Sequence, residues 1–287
     1  RESSLSNEEL LMDYEDYQYL RFERQGKGIL LVKIDRPEVF NATNARLHNE
    51  LTCVWSTLGR DHLTNVVVIT GEGDKAFSAG GDIKLIEGMI GNSKEIARIQ
   101  TEARDLVYNI LAFEKPIISA INGVAVGAGL AVALLSDISV MNEDARLSDG
   151  HTRLGVGAGD HAAIIWPLLC GMAKAKYYLM TADFISGSEA ERLGLVTFSK
   201  PSGQVLPFAL EIADKLAKGS QPAIRGTKQT LNGWLKQASP IFEDSLRMEM
   251  FGFLGKDAEE GLSALKEKRV PKFSSADLYW NQPNDDD

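Results

Sequence analysis

The chain has 287 residues, of which 44% are hydrophobic, 25% charged and 8% aromatic, with a formal net charge of −9. It is long enough to bury a full core, and its composition is that of a globular protein. Its acidity gives it no electrostatic reason to seek nucleic acid or an anionic membrane, so an anionic ligand must be met by local cations and backbone N–H donors.

Six of the first sixteen residues are acidic and the chain ends Asp285, Asp286, Asp287, so much of the charge belongs to polar ends. The first 18 residues read as an acidic, mobile or surface-draped tail. YLRFERQ (19–25) and GILLVKI (28–34) carry strand-type residues around a Gln-Gly-Lys-Gly turn and predict a hairpin, ended by Arg36-Pro37. A helix is predicted from about Asn44 to Leu58, with Leu47, Leu51, Val54 and Trp55 on one face. NVVVIT (65–70) reads as a buried strand, and glycines then cluster in GEGDKAFSAGGDIK. Ser93 is placed to cap a long helix to about Leu111, and Pro116 opens the strand PIISAIN. GVAVGAGLAVALLSDISV (123–140) is small and apolar throughout and predicts a closely packed buried helix. In SGSEAERLGL, Ser186 or Ser188 can cap a helix, and from Leu206 to Lys268 amphipathic helices dominate. Cys53 and Cys170, the two cysteines, are flanked by apolar residues and are expected as buried thiols rather than a disulfide. No apolar run is long enough to cross a bilayer and no signal peptide is evident, which leads to the expectation of a cytoplasmic protein without a membrane partner.

The chemistry concentrates in DGHTRLGVGAGDHAAIIWP (149–167). His151 and Asp160 are separated by Gly155, Gly157 and Gly159, whose freedom lets the backbone fold back so that the two side chains meet. An imidazole with a carboxylate is a general base with its orienter, although taken alone Asp160 also reads as a cap for the helix that follows. His161 is read as structural, because adjacent residues at a helix start point in different directions. The four histidines and two cysteines lack the close spacings of a zinc site, so no metal is expected. No nucleophile elbow points to a serine hydrolase.

KAFSAGGDIK (75–84), INGVAVGAGLAVALLSDI (121–138), SGSEAERLGLV (186–196) and DAEEGLSALKEKRVPKF (257–273) resemble, in order and spacing, the signatures of the crotonase (enoyl-CoA hydratase/isomerase) superfamily. The resemblance spans about Tyr19 to Phe273. It implies an α/β fold, a superhelix of strand-strand-helix repeats over residues 19–205. A C-terminal helical region (206–273) would support a homotrimer or hexamer, and a polar acidic tail (274–287) would follow. It also implies an oxyanion hole made by the N–H groups of Gly81 and Ala128, which would stabilise the negative charge that develops on a substrate carbonyl. Coenzyme A is then expected as part of the substrate, with no tightly bound cofactor. By the same resemblance Val39 and Ala42 would flank the pantetheine, and Ala79, Asp82 and Ile83 the adenine and thioester. Lys266, Lys268 and Arg269 would either meet phosphates or form a solvated helix end that complements the helix dipole. Ile86, Met89, Trp166 and Leu169 are expected to wall the acyl pocket.

Two positions depart from the hydratase pattern. Where that pattern has two glutamates holding the added water, this chain has Ala131 and His151. The loop instead resembles that of the oxocamphor/β-diketone hydrolase branch, with His151 and Asp160 at its His and Asp positions and His48 resembling a further histidine. That branch carries a histidine where this chain has Ala128, and it does not use coenzyme A. The combination implies hydrolytic carbon–carbon (retro-Claisen) cleavage of an acyl-CoA or β-diketone by a His–Asp pair. The alternatives are an enoyl-CoA hydratase with a different base, or a silent acyl-CoA-binding protein.

Overall fold

The computed structural model describes residues 12–276. The predicted hairpin forms from β1 (Leu20–Arg24) and β2 (Ile29–Ile34), antiparallel with Phe22 opposite Val32. Side chains alternate along β2: Leu30, Val32 and Ile34 enter one core, Ile29 and Leu31 the other. Helix α1 (Ala45–Arg60) follows, started by the Asn44 side chain accepting from the Leu47 N–H, and β3 (Val66–Gly71) is the buried strand expected at 65–70. After β4 (Ala76–Ser78) and α2 (Ile83–Met89), the long α3 (Ser93–Ala112) is capped by Asn92, one residue before the expected Ser93. β5 (Ile117–Ile121) then enters the sheet.

The stretch 123–140 is not one helix. It divides into β6 (Val124–Val126), α4 (Gly127–Leu135) and β7 (Ile138–Asn142). A run of uniformly small apolar residues has no period by which strand and helix can be told apart. The turn into α4 is made at Gly127, where φ is +52°. The chain continues through β8 (Arg146–Ser148), α5 (His151–Leu154), α6 (Ala162–Cys170), α7 (Met172–Thr181) and β9 (Ile185–Ser186). It then forms α8 (Gly187–Leu193), which Ser186 caps, and β10 (Phe198–Lys200). The last third is helical, as expected: α9 (Val205–Ala217), α10 (Gln221–Gln237), α11 (Ser239–Gly252) and α12 (Lys256–Glu267).

Six strands form the main sheet in the order β1-β2-β3-β5-β7-β10, parallel except at the hairpin; β4-β6-β8-β9 form a smaller second sheet. Helix α9 covers one face of the main sheet with Val205, Ala209 and Ala213, while α1, α3, α4, α6 and α11 share the larger core on the other face. The site therefore lies on the side away from α9, where β4, β6 and β8 end.

Two expectations change. Cys53 is exposed and Cys170 only half-buried, because both fall on outward-turned helical positions beside buried neighbours. Of the acidic N-terminal stretch, residues 1–11 lie outside the described residues, as do 277–287 of the C-terminal tail. Tyr14 and Tyr17 pack on Phe22 and hydrogen-bond Asp61 and Thr57, which anchors the chain ahead of β1. Among the described residues, no helix is long and apolar enough to cross a membrane.

Candidate active site

A cavity of about 500 Å³ opens where β4, β6 and β8 end, bordered by helices α2, α3, α11 and α12. His151 stands on its wall as the first residue of α5, turned there by Gly150 at φ +81°. The short reversal through Gly150 brings the carboxylate of Asp149 onto the imidazole, and His151 Nδ1 lies 2.8 Å from Asp149 Oδ2. The other ring nitrogen, Nε2, faces two further carboxylates, Glu249 Oε1 at 3.4 Å and Asp160 Oδ2 at 3.9 Å. Asp149 rather than Asp160 is thus the hydrogen-bonded orienter of His151, and Asp160 sits on the opposite, cavity side of the ring.

Asp160 is itself fixed by its neighbour. His161 is wholly buried, its Nδ1 lies 2.6 Å from Asp160 Oδ1, and its Nε2 accepts from the Trp166 indole N–H at 3.4 Å. Gly159 lets this loop approach α11. A Cβ there would lie 2.4 Å from Glu249 Cβ, so no larger residue would leave Asp160 and Glu249 side by side.

Burial opposes a charge on His151, but Asp149, Glu249 and Asp160 outweigh it and hold the imidazole pKa well above its ordinary 6.5. Burial, with repulsion from Asp160 and Asp149, keeps Glu249 above the usual carboxyl range despite the attraction of His151. Burial also acts on Asp160, yet the facing His161 and His151 rings win and hold it below the usual range. His151 and Glu249 thus each keep a proton to higher pH than usual, with Asp160 ionised beside them. Among the described residues, Asp149 Oδ1 and Glu249 Oε2 are buried without a hydrogen-bond partner.

Facing this array are two glycine-rich turns. Gly81 follows β4, flanked by the bonds Thr43 N–H to Gly80 O (2.7 Å) and Asp82 N–H to Thr43 O (2.9 Å). Ala128 is the second residue of α4, where an N–H has no partner within its own helix. The turns touch: a Cβ on Gly127 would lie 3.5 Å from Gly80 Cα and 4.0 Å from the Gly81 nitrogen. Gly81 and Ala128 both border the cavity.

Of the residues singled out in the sequence, His48, Ala79, Gly81, Ala128, His151, Asp160 and Lys268 border the cavity, as do Ile86 and Met89. His48 is buried on α1, with Nδ1 2.7 Å from Glu102 Oε2. Five residues placed by resemblance lie off the cavity wall, among them Lys266, which pairs with Glu87 at 2.8 Å. Val39 and Ile83 are exposed, the Ala42 carbonyl accepts from Arg36, and Asp82 caps α2 through the Leu85 N–H and pairs with Arg36 at 3.4 Å. Trp166 is not a pocket wall, nor is Leu169: at 0% exposure the indole turns inward along α6 to back His161. Asp149, Glu249 and Glu102 were not singled out. Asp149 opened the stretch that was, and Glu249 lies far along the chain on the buried face of α11.

Comparison with known proteins agrees with this architecture. The sequence profile of the enoyl-CoA hydratase/isomerase family matches residues 24–276. A crotonyl-CoA hydratase from Syntrophomonas wolfei is 31% identical over 261 residues, covering 90% of this chain and 99% of that one. An enoyl-CoA hydratase/isomerase structure from Mycobacterium paratuberculosis superposes with a TM-score of 0.81 at 30% identity, covering 85% of this chain and 97% of that one. A β-diketone hydrolase from the cyanobacterium Anabaena, solved with (S)-3-oxocyclohexyl acetic acid bound, gives a TM-score of 0.77 at 29% identity, covering 84% and 96%.

Proposed function

The chain belongs to the enoyl-CoA hydratase/isomerase family, and from that premise and the array around His151 we propose that it cleaves a carbon–carbon bond of a β-oxoacyl-CoA thioester by hydrolysis. The observation that carries this reading is the imidazole held by Asp149 on Nδ1 while Nε2 meets Glu249 and Asp160 at the cavity surface. Such an array activates water without a glutamate at position 131.

In its neutral form, with Nδ1–H donated to Asp149, His151 has Nε2 free to take a proton from water. The hydroxide attacks the β-carbonyl carbon, and Asp160, kept ionised, stabilises the imidazolium that forms. The bond between the α and β carbons then breaks. Its electron pair passes to the thioester as an enolate, held by the N–H groups of Gly81 and Ala128, and the attacked fragment leaves as a carboxylic acid. Glu249 or the imidazolium returns a proton to the α carbon, which completes an acyl-CoA shortened by the departed acid. Oxyanion donors of this kind contribute roughly 3–4 kcal/mol each.

A second reading has its own support, because curated relatives are named as hydratases. The same groups can add water across an α,β-unsaturated acyl-CoA through the same enolate. The test is product mass spectrometry in oxygen-18 water with β-oxoacyl-CoA, enoyl-CoA and CoA-free cyclic β-diketone substrates, for the protein and for His151→Ala. A labelled acid that the variant does not release supports the cleavage. A labelled hydroxyacyl-CoA replaces it with hydration, and tight acyl-CoA binding without turnover replaces both with a silent binder.

A further inference from the structure

The segment that precedes α1 holds a conformation its residues do not favour. Phe40 and Asn41, in succession, take left-handed backbone angles, φ +56° and +54°. A residue with a Cβ seldom enters that region, and two in a row persist only where the surroundings hold them there. The Asn41 side chain, wholly buried, does the holding. Its Oδ1 accepts from the Arg36 N–H at 2.9 Å, and its Nδ2 donates to the Glu72 carbonyl at 3.0 Å and the Ala76 carbonyl at 2.9 Å. One amide thus ties the start of this loop to both ends of the connection between β3 and β4.

The loop lies along the stretch that carries Gly81. The Ala79 N–H donates to the Phe40 carbonyl at 3.0 Å, the Thr43 N–H to the Gly80 carbonyl at 2.7 Å, and the Asp82 N–H to the Thr43 carbonyl at 2.9 Å. Thr43 and Gly81 are therefore paired as in a parallel sheet. In such a pair the bonds go to the residues on either side of Gly81, and successive residues of an extended chain turn their N–H groups to opposite sides. The Gly81 N–H is thereby left on the side away from the loop. Ser78 links the same loop to α4. Its buried hydroxyl donates to the Asn41 carbonyl at 2.8 Å and accepts from the Gly80 N–H at 3.3 Å. A Cβ on Gly129 would fall 2.2 Å from Ser78 Cβ, so α4 is seated directly on this side chain.

We propose that Asn41 is a positioning residue for the carbonyl-binding turns: by locking residues 40–43 it sets the direction of the Gly81 N–H and, through Ser78, its separation from the Ala128 N–H. This deepens the reading above and rests on it for the substrate carbonyl being held between those two donors. It holds for cleavage and for hydration alike, since both pass through the same enolate. Asn41 does not itself border the cavity. A slack loop would let one donor drift, and a displacement of about 1 Å at such a site costs on the order of 100-fold in rate.

Two variants test this. Asn41→Gly keeps the left-handed angle without steric cost while removing the amide, and Ser78→Ala keeps the anchors of the loop and removes only its tie to the turns. Butyryl-CoA labelled with carbon-13 at the thioester carbonyl is bound to each, and the C=O stretch is read by infrared difference spectroscopy. In the parent protein the two donors should polarise the carbonyl and lower its frequency relative to the free thioester. Asn41→Gly should return the frequency toward the free value and lower kcat about 10- to 100-fold on whichever substrate is turned over, while the dissociation constant of butyryl-CoA changes by less than about threefold. Ser78→Ala should shift both in the same direction by less, and it carries the test if Asn41→Gly does not fold. Variants that lose thermal stability yet keep the carbonyl frequency and kcat of the parent make Asn41 a purely structural residue and overturn the proposal. A parent protein that leaves the thioester frequency unchanged removes the oxyanion reading itself, and the proposal with it.

Discussion

Replacing Asp149 with Asn isolates the orienting role of the carboxylate on His151 Nδ1, because shape is kept and only charge and one acceptor oxygen change. Two outcomes are open to the new amide. If its oxygen takes the 2.8 Å position of Oδ2, its NH2 falls where Oδ1 now lies buried with no partner, and an unsatisfied buried donor costs about 1–3 kcal/mol. If the NH2 faces the ring instead, Nδ1 must become the acceptor, the proton moves to Nε2, and the nitrogen facing the cavity can no longer act as a base. Either way the productive tautomer is raised in energy by about 1–3 kcal/mol, or roughly 5- to 150-fold in rate, before the lost stabilisation of the imidazolium is added. We therefore expect kcat/KM to fall by about 100-fold or more, on whichever substrate class the oxygen-18 experiment turns over. Where the amide turns its NH2 to the ring, nitrogen-15 NMR of labelled histidine should show the His151 proton shifted toward Nε2. An Asp149→Asn enzyme with more than half the parent kcat and an unchanged tautomer, beside an inactive His151→Ala, would refute the assignment of Asp149 as orienter.

Ala128→Pro removes one N–H at the second position of α4, where proline is compatible with a helix start; we expect kcat to drop about 100- to 1000-fold, with the circular dichroism spectrum retained. Trp166→Phe should lower Tm by several degrees through the lost indole volume and the orphaned His161 Nε2, while KM stays within about twofold, since Trp166 backs His161 and lies off the cavity wall. The raised pKa of His151 has a definite stability signature: the folded state binds its proton more tightly than the unfolded chain, so this contribution is full below pH 6.5 and declines as pH rises through the raised value. Glu249 acts in the same direction from pH 4.5 upward, so thermal scans of Glu249→Gln against the parent should show the variant gaining relative stability as pH increases. The opposite slope would count against a raised Glu249 pKa.

Much of the frame was legible because alternation and helical period are local signals. The hairpin, α1 and the buried strand β3 follow from residues that must face one core or the other, and Ile29–Ile34 shows both faces of the alternation in six residues. The stretch 123–140 was misread for the converse reason. When every residue is small and apolar the pattern is the same for a strand and a helix, and the break is made by one backbone angle at Gly127 that the sequence does not display. The cap of α3 moved by one residue because Asn92 and Ser93 are both good caps, and which is used depends on where the chain enters.

The site divides along the same line between local and distant information. His151 and Asp160 share one loop and were found together; the group that completes them, Glu249, comes from a helix nearly a hundred residues later, and no spacing rule spans that distance. A different signal was present. In FEDSLRMEMFG the buried positions are Phe242, Leu246, Glu249 and Met250, with Phe253 following, so Glu249 occupies the apolar face of its helix. A carboxylate on such a face must meet a partner inside, because an unpaired buried charge is too costly to keep. The same test also selects Glu50, on the buried face of α1, and there the partners are structural: the Gln18 and Tyr19 N–H groups and Arg46. The rule therefore finds carboxylates that have been taken out of water without saying why. What separates the two is satisfaction. Both oxygens of Glu50 are occupied by donors in the chain, whereas Glu249 leaves Oε2 without one and shares its other oxygen with an imidazole at a cavity wall. An incompletely satisfied buried carboxylate beside open space is where a protein can still bind or move a proton, and that distinction is visible only in three dimensions.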